Sequence, residues 1–191
     1  TYQHSKFVLL PVPYEGTVTY GKGTSLGPGA IITASHELEL LDEELIKETY
    51  QEGICTLKNL TIEKTPELMH QCIYEKTKQI IANNKFLVML GGEHSITSGY
   101  VRALNEKFPK LSVLQIDAHT DLRPSYQESK FSHASAMARI IEMCPCIQVG
   151  IRSTSEEEIA MVEKNKKNIF WARDIYDNEE WFDDAISKLT N

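Results

Sequence analysis

The feature of this sequence that most constrains its fold is the alternation of short apolar runs with longer amphipathic stretches. The apolar runs are continuous, without a polar residue at every second position, which is typical of strands buried on both faces of a parallel sheet. The stretches between them carry apolar residues near helical spacing. Strand and helix alternate about six times along the chain. This order favours a three-layer α/β fold with a mainly parallel sheet and helices on both faces.

The predicted elements follow one another without an internal repeat, a low-complexity tract or a linker, so we expect residues 1–191 to form one domain. A Gly-rich loop is expected over residues 14–29. The predicted strands are 7–10, 54–57, 86–90, 111–116, 147–151 and 169–171. The predicted helices are 28–42, 66–83, 95–107, 134–143, 155–166 and 178–189.

Composition and charge argue against several classes of protein. The 191 residues carry a net charge of −7, whereas a protein that binds nucleic-acid backbones needs a basic face. No apolar run approaches the roughly 18 residues of a membrane span. The first residues do not show a charged n-region followed by an apolar h-region, so we expect no secretion signal. The four cysteines lack the dense spacing of a secreted scaffold and the C-x-x-C spacing of zinc or redox sites. We therefore expect reduced thiols in a cytoplasmic protein.

Polar motifs directly follow two of the predicted strands. Residues 91–95 have the sequence G-G-E-H-S and residues 117–121 have the sequence D-A-H-T-D. A further pair, Ser132-His133, opens a predicted helix. Because ligands of open parallel sheets bind beyond the carboxyl ends of the strands, these motifs mark the expected site.

The side chains of these motifs are of the types that bind metal ions. Asp117 and His119 point to the same side of an extended segment, Asp121 joins them if the chain stays extended, and His94 can face them from a neighbouring strand. Carboxylates and imidazoles without thiolates suit Mn²⁺ and also admit Zn²⁺, Fe²⁺ or Co²⁺. One carboxylate can bridge two ions about 3.5–4 Å apart, so D-x-H-x-D favours a binuclear site. The alternative is a group of solvated strand-end residues with ordinary hydrogen bonds.

Residues 16–22 have a second pattern, the G-x-x-x-x-G-K spacing of a phosphate-binding loop. The next residue is Gly23, where that motif needs Ser or Thr. The motif also needs a helix to start there, whereas glycines and Pro28 keep this stretch irregular. We therefore expect a loop that borders the site rather than a nucleotide-binding loop.

Taken together, the motifs resemble those of the ureohydrolase family, the arginases and agmatinases. The resemblance rests on residues 91–95, 117–121 and 132–133, with further likeness at 13–16, 27–31 and 149–152. It implies an arginase-like fold and a hydrolase with two manganese ions, which cuts a guanidino group and releases urea. It also implies a homo-oligomer, a trimer or a hexamer.

The resemblance assigns a role to each candidate residue. His94 would bind the first manganese ion, His119 the second, and Asp117 would bridge both. Asp121 would bind the first ion and hold the metal-bound hydroxide, so it is a catalytic residue as well as a ligand. His133 resembles the family's catalytic histidine, which shuttles a proton to the leaving amine.

Residues 122–126 bear on the substrate. Arginases usually place an Asn where Arg123 stands, to receive the amino-acid end of arginine, and Asp121-Leu122-Arg123 looks more like the agmatinase branch. The resemblance thus implies hydrolysis of agmatine to putrescine and urea. The alternatives are arginine, guanidinobutyrate or formiminoglutamate as substrate, or a fragment of the same fold without catalytic activity.

The sequence departs from the family pattern near its end. The family has a further strand that ends in an Asp-x-Asp pair and completes both metal sites, and no such pair follows residue 121 here. Asp183 and Asp184 are adjacent and fall in a predicted helix. The resemblance therefore implies a ureohydrolase domain that is incomplete at its C-terminus and lacks the last strands of the sheet.

Overall fold

The computed structural model describes residues 1–177 and 179–190, and its strands are parallel. The chain divides into two compact units, Thr1–Ile96 and Thr97–Asn191. Each unit contains one three-stranded sheet with helices between its strands. The predicted α/β class with parallel strands is confirmed, and the single domain over residues 1–191 stays a prediction.

The unit Thr1–Ile96 contains a sheet in the order β2-β1-β3. Its elements are β1 (Phe7–Val12), α1 (Gly27–Ala34), β2 (Ile54–Thr56), α2 (Pro66–Ala82) and β3 (Phe86–Gly91). The central strand pairs with both neighbours, with Phe7 opposite Ile54 and Phe86. Val8, Leu10 and Val12 are fully buried, because one face of the central strand forms the core.

The unit Thr97–Asn191 contains a sheet in the order β4-β5-β6. Its elements are α3 (Thr97–Lys107), β4 (Val113–Ile116), α4 (Ala136–Ile140), β5 (Cys146–Ile151), α5 (Ile159–Asn165), β6 (Ile169–Trp171), α6 (Ala172–Ile175) and α7 (Glu180–Ser187). The central strand is buried almost throughout, and Ile140, Ile147 and Ile151 are fully enclosed. Asp183 and Asp184 lie in α7, as predicted.

Several predicted helices differ from the observed ones. Those expected at 134–143 and 155–166 are shortened to Ala136–Ile140 and Ile159–Asn165, and a 3₁₀ turn precedes each. The helix expected at 28–42 ends at Ala34 and is followed by one 3₁₀ turn. Leu38 and Leu41, which were expected to continue it, are 69% and 52% exposed, so no packed apolar face stabilises a longer helix there. The last predicted helix begins at Glu180, and its predicted first residue, 178, lies outside the described residues.

All four cysteines are free thiols, with Cys144 and Cys146 in the core and Cys55 and Cys72 half-buried. Among the described residues, no helix combines the length and the apolar character that crossing a membrane would require.

Candidate metal centre

The D-x-H-x-D motif begins directly after β4 and forms, with the next two residues, a segment here called the Asp117 loop (residues 117–123). The loop continues beside the chain that leaves β5. Asp117 N donates to Val149 O (3.1 Å), and Thr120 N donates to Ser153 O (3.2 Å). The motif is therefore anchored to the neighbouring strand end, as expected of a site at the carboxyl edge of a parallel sheet.

The Asp117 loop brings three of the predicted ligands together. Carboxylate oxygens of Asp117 and Asp121 lie within 4.8 Å of each other. His119 Nδ1 lies 3.5 Å from Asp117 Oδ1, and the backbone N–H of His119 donates to the same oxygen (2.8 Å). Asp121 is 7% exposed, whereas the His119 side chain is largely in solvent.

Electrostatics disfavours this pair of carboxylates without a cation. Burial and then the neighbouring carboxylate of Asp117 raise the pKa of Asp121 to about 7, against the lowering effect of His119 and the Gln115 amide. An ionised carboxylate held away from water beside a like charge is costly unless a positive charge balances it. The donor set thus fits a divalent cation.

Three buried side chains that the sequence analysis did not single out support the Asp117 loop. Gln115 Nε2 donates to Asp121 Oδ2 (3.1 Å), and Gln148 Nε2 donates to Gln115 and to Thr120 O (2.8 Å). Glu158 accepts hydrogen bonds from Thr120 Oγ1 (2.7 Å) and Leu122 N (2.6 Å). A signal existed for the glutamines, since each interrupts an otherwise apolar strand.

His133 lies in a 3₁₀ turn that precedes α4 and packs edge-on against Tyr126, with ring centroids 5.6 Å apart. Arg123 lies over the Tyr126 ring at 4.8 Å and donates from Nε to Ser155 Oγ (3.2 Å). The backbone carbonyl of Asp121 accepts from the N–H groups of Met137 and Ala138 (both 3.1 Å). The Asp117 loop, Arg123 and the His133 turn are therefore joined within one unit.

His94 belongs to the other unit and lies in the turn after β3, here called the His94 turn (residues 91–95). Backbone contacts hold this turn: Gly92 N donates to Val12 O (3.2 Å), and Glu93 N donates to Tyr14 O (3.1 Å). A Cβ at Gly92 would lie 2.3 Å from Tyr14 O, so only glycine fits there. Buried Glu93 accepts from Thr17 N (2.9 Å), Thr17 Oγ1 and Ser95 Oγ (2.6 Å).

The loop with the G-x-x-x-x-G-K spacing does not form a phosphate site. No α-helix starts at Gly23, since a 3₁₀ turn over Thr24–Leu26 precedes α1. The N–H groups of Gly23 and Ser25 both donate to the carboxylate of Glu15 (2.8 Å each). These hydrogen bonds, led by that of Ser25, lower the pKa of Glu15. A carboxylate therefore occupies the donors that a phosphate would need, and the nucleotide-binding alternative is not supported.

Comparisons with known proteins agree with the motifs. The arginase family model matches residues 5–190. An N(1)-aminopropylagmatine ureohydrolase of Synechocystis sp. is 36% identical over 198 residues, which cover 100% of this chain and 65% of that protein. The agmatine ureohydrolase of Thermoplasma volcanium superposes with a TM-score of 0.90 at 27% identity, over 99% of this chain and 65% of that one.

A more distant structure shows the fold alone. A formiminoglutamase of Trypanosoma cruzi with Mn²⁺ superposes with a TM-score of 0.85 at 18% identity, over 100% of this chain and 68% of that one. The chain thus spans about two thirds of the length of the proteins it matches, and 65% of the Synechocystis and Thermoplasma ones.

Proposed function

Because the chain belongs to the arginase family, we propose that the protein hydrolyses the guanidino group of a small linear amine and releases urea. The observation that carries this proposal is the buried carboxylate of Asp121 beside that of Asp117, at the carboxyl end of a parallel strand. Such a pair is costly when one carboxylate is held away from water, and it is suited to holding divalent cations that act on a bound substrate.

The proposed cofactor is a pair of manganese ions. Asp117 would bridge the two, with His94 and Asp121 on the first and His119 on the second. Carboxylate and imidazole donors without a thiolate suit Mn²⁺. When bound, two divalent cations would lower the pKa of a shared water towards about 7 and supply a nucleophile at neutral pH. The trimer or hexamer that the resemblance implies belongs to the same proposal.

The other catalytic role falls to His133. Cleavage of the guanidino carbon–nitrogen bond leaves an amine that needs a proton, and an imidazole exchanges protons near neutral pH. The edge contact with Tyr126 restricts the orientation of the His133 ring. His133 therefore delivers the proton from a fixed direction without binding the metal.

The proposed substrate is agmatine. Arg123 has no hydrogen-bond acceptor and cannot replace the neutral amide with which arginases receive the amino-acid end of arginine. Its guanidinium is also engaged by the Tyr126 ring and Ser155. A second candidate is N(1)-aminopropylagmatine, which the name of the Synechocystis relative favours. Both are guanidines whose tail ends in amines and lacks a carboxylate.

The test is manganese-dependent urea release by the full-length protein across a panel of guanidines. The panel contains agmatine, N(1)-aminopropylagmatine, arginine and guanidinobutyrate, with metal-free protein as the control. We expect one of the two amines to have the highest kcat/KM. A higher kcat/KM for arginine or guanidinobutyrate would contradict the substrate, and no urea from any member would contradict the reaction.

A further inference from the structure

The carboxylate of Glu158 binds two different segments, the turn that precedes α5 and the Asp117 loop. Its Oε2 accepts hydrogen bonds from the backbone N–H and the hydroxyl of Ser155 (both 2.7 Å), which completes a capping box before α5. A capping box needs only one acceptor from its glutamate, and such glutamates usually lie at the surface. Glu158 is instead 4% exposed, because its other oxygen points into the unit.

That second oxygen reaches the Asp117 loop on both sides of Asp121. Glu158 Oε1 accepts from the Thr120 hydroxyl (2.7 Å) and from the backbone N–H of Leu122 (2.6 Å). Asp121 lies between these two donors with a φ of 50°, in the left-handed region that residues other than glycine rarely adopt. The two hydrogen bonds thus hold the backbone on either side of a strained residue.

We infer that Glu158 is a positioning residue that holds the Asp121 carboxylate in the geometry for metal binding. The inference rests on the proposed function, since it assumes that Asp121 is a ligand. Residues that orient metal ligands usually touch the ligand directly, whereas Glu158 acts through the main chain around it. The same carboxylate also fixes Ser155, whose hydroxyl accepts from Arg123, so it ties the ligand loop to the residue proposed to bear on specificity.

A glutamine at this position cannot replace both functions. The carboxylate accepts one backbone N–H at each oxygen, from Leu122 on one side and from Ser155 on the other. An amide has one acceptor oxygen, and its NH₂ group would meet an N–H whose direction is fixed. Glu158→Gln therefore keeps the size of the side chain and breaks one of the two anchors.

The experiment titrates metal-free full-length protein with Mn²⁺ alone and follows the free ion by electron paramagnetic resonance. We expect Glu158→Gln to bind manganese about 10–100-fold more weakly, the range for residues that orient ligands. The matched control is Glu157→Gln, which removes the same charge one residue away from an exposed position. Affinity of Glu158→Gln equal to that of the control would overturn the inference. If the unmodified protein itself bound no manganese, the proposed function would fail first.

A double-mutant cycle separates positioning from a general effect on folding. In an Asp121→Asn background, Glu158→Gln should change the remaining manganese affinity much less, because the ligand through which Glu158 acts is gone. An equal loss in both backgrounds would show that Glu158 only stabilises the fold and would overturn the inference.

If Glu158→Gln does not fold, Thr120→Val tests the same inference. It deletes one donor to Glu158 while keeping the shape of a residue that is fully buried. Thr120→Ser keeps the hydroxyl and is its control. Weaker manganese binding in Thr120→Val than in Thr120→Ser supports the inference, and equal binding overturns it.

Discussion

In the unit Thr1–Ile96 the His94 turn is held by backbone contacts and by its own Glu93 carboxylate. In the unit Thr97–Asn191 the Asp117 loop also has backbone contacts, but buried side chains from outside the loop add to them. Gly92 donates its N–H group to the carbonyl of Val12, the last residue of β1, and Glu93 donates to the carbonyl of Tyr14 just after it. The Asp117 loop depends on Gln115, Gln148 and Glu158. The His94 turn has no space for an added atom at Gly92, whereas each side chain that holds the Asp117 loop can be substituted separately.

The largest expected effect contrasts one histidine of each unit, His133 and His94. His133→Asn should lower kcat by about 10²–10⁴-fold, the usual contribution of a general acid or base, and leave the manganese content unchanged. His94→Asn should lower the manganese content together with kcat, because His94 is proposed as a ligand. Metal analysis of both variants beside steady-state kinetics checks this. Loss of metal from His133→Asn would make His133 a ligand and contradict its role.

The next largest effect is expected from adding a Cβ atom at Gly92 in the His94 turn. Gly92→Ala should lower the free energy of unfolding by about 1–3 kcal/mol or more, since the new Cβ would approach Tyr14 O at 2.3 Å and force the backbone to shift. The control is Gly29→Ala, where nothing lies within 4 Å of the added atom in helix α1. Urea denaturation measures both. Equal stability of the two variants would show that the turn is not held as tightly as described.

A smaller effect distinguishes the two buried glutamates. Glu158→Gln should cost about 1–3 kcal/mol of stability, because one buried N–H loses its acceptor. Glu93→Gln should cost less than about 1 kcal/mol, because Glu93 meets one backbone N–H and two hydroxyls, and hydroxyls can turn to accept from the amide. Denaturation of both metal-free variants checks the order. The reverse order would contradict the view that Glu158 holds the Asp117 loop more firmly than Glu93 holds the His94 turn.

The strands and the ligand motifs could be predicted from the sequence because their signals are local. The continuous apolar run that forms β3 ends in G-G-E-H-S, and the motif D-A-H-T-D starts directly after β4. The helix expected at 28–42 forms but ends at Ala34, because local periodicity cannot show that Leu38 and Leu41 stay exposed.

The side chains that hold the ligand segments in place could be predicted only in part. Glu93 lies inside the motif that it holds, whereas Glu158 lies 38 residues beyond Thr120 and has the ordinary spacing of a capping box. The local sequence is the same for a glutamate that only completes a capping box and for a glutamate that also accepts hydrogen bonds from a distant loop. Contacts of this kind depend on how β4 and β5 pair, and pairing appears only in the folded chain.

The central claim is that the Asp117 loop binds a pair of manganese ions, and elemental analysis of the full-length protein tests it most directly. The unmodified protein should contain two manganese ions per chain after loading and removal of free metal. Asp117→Ala should lose manganese from both positions, since Asp117 would bridge them, while far-ultraviolet circular dichroism stays unchanged. Full manganese content in Asp117→Ala would contradict the account.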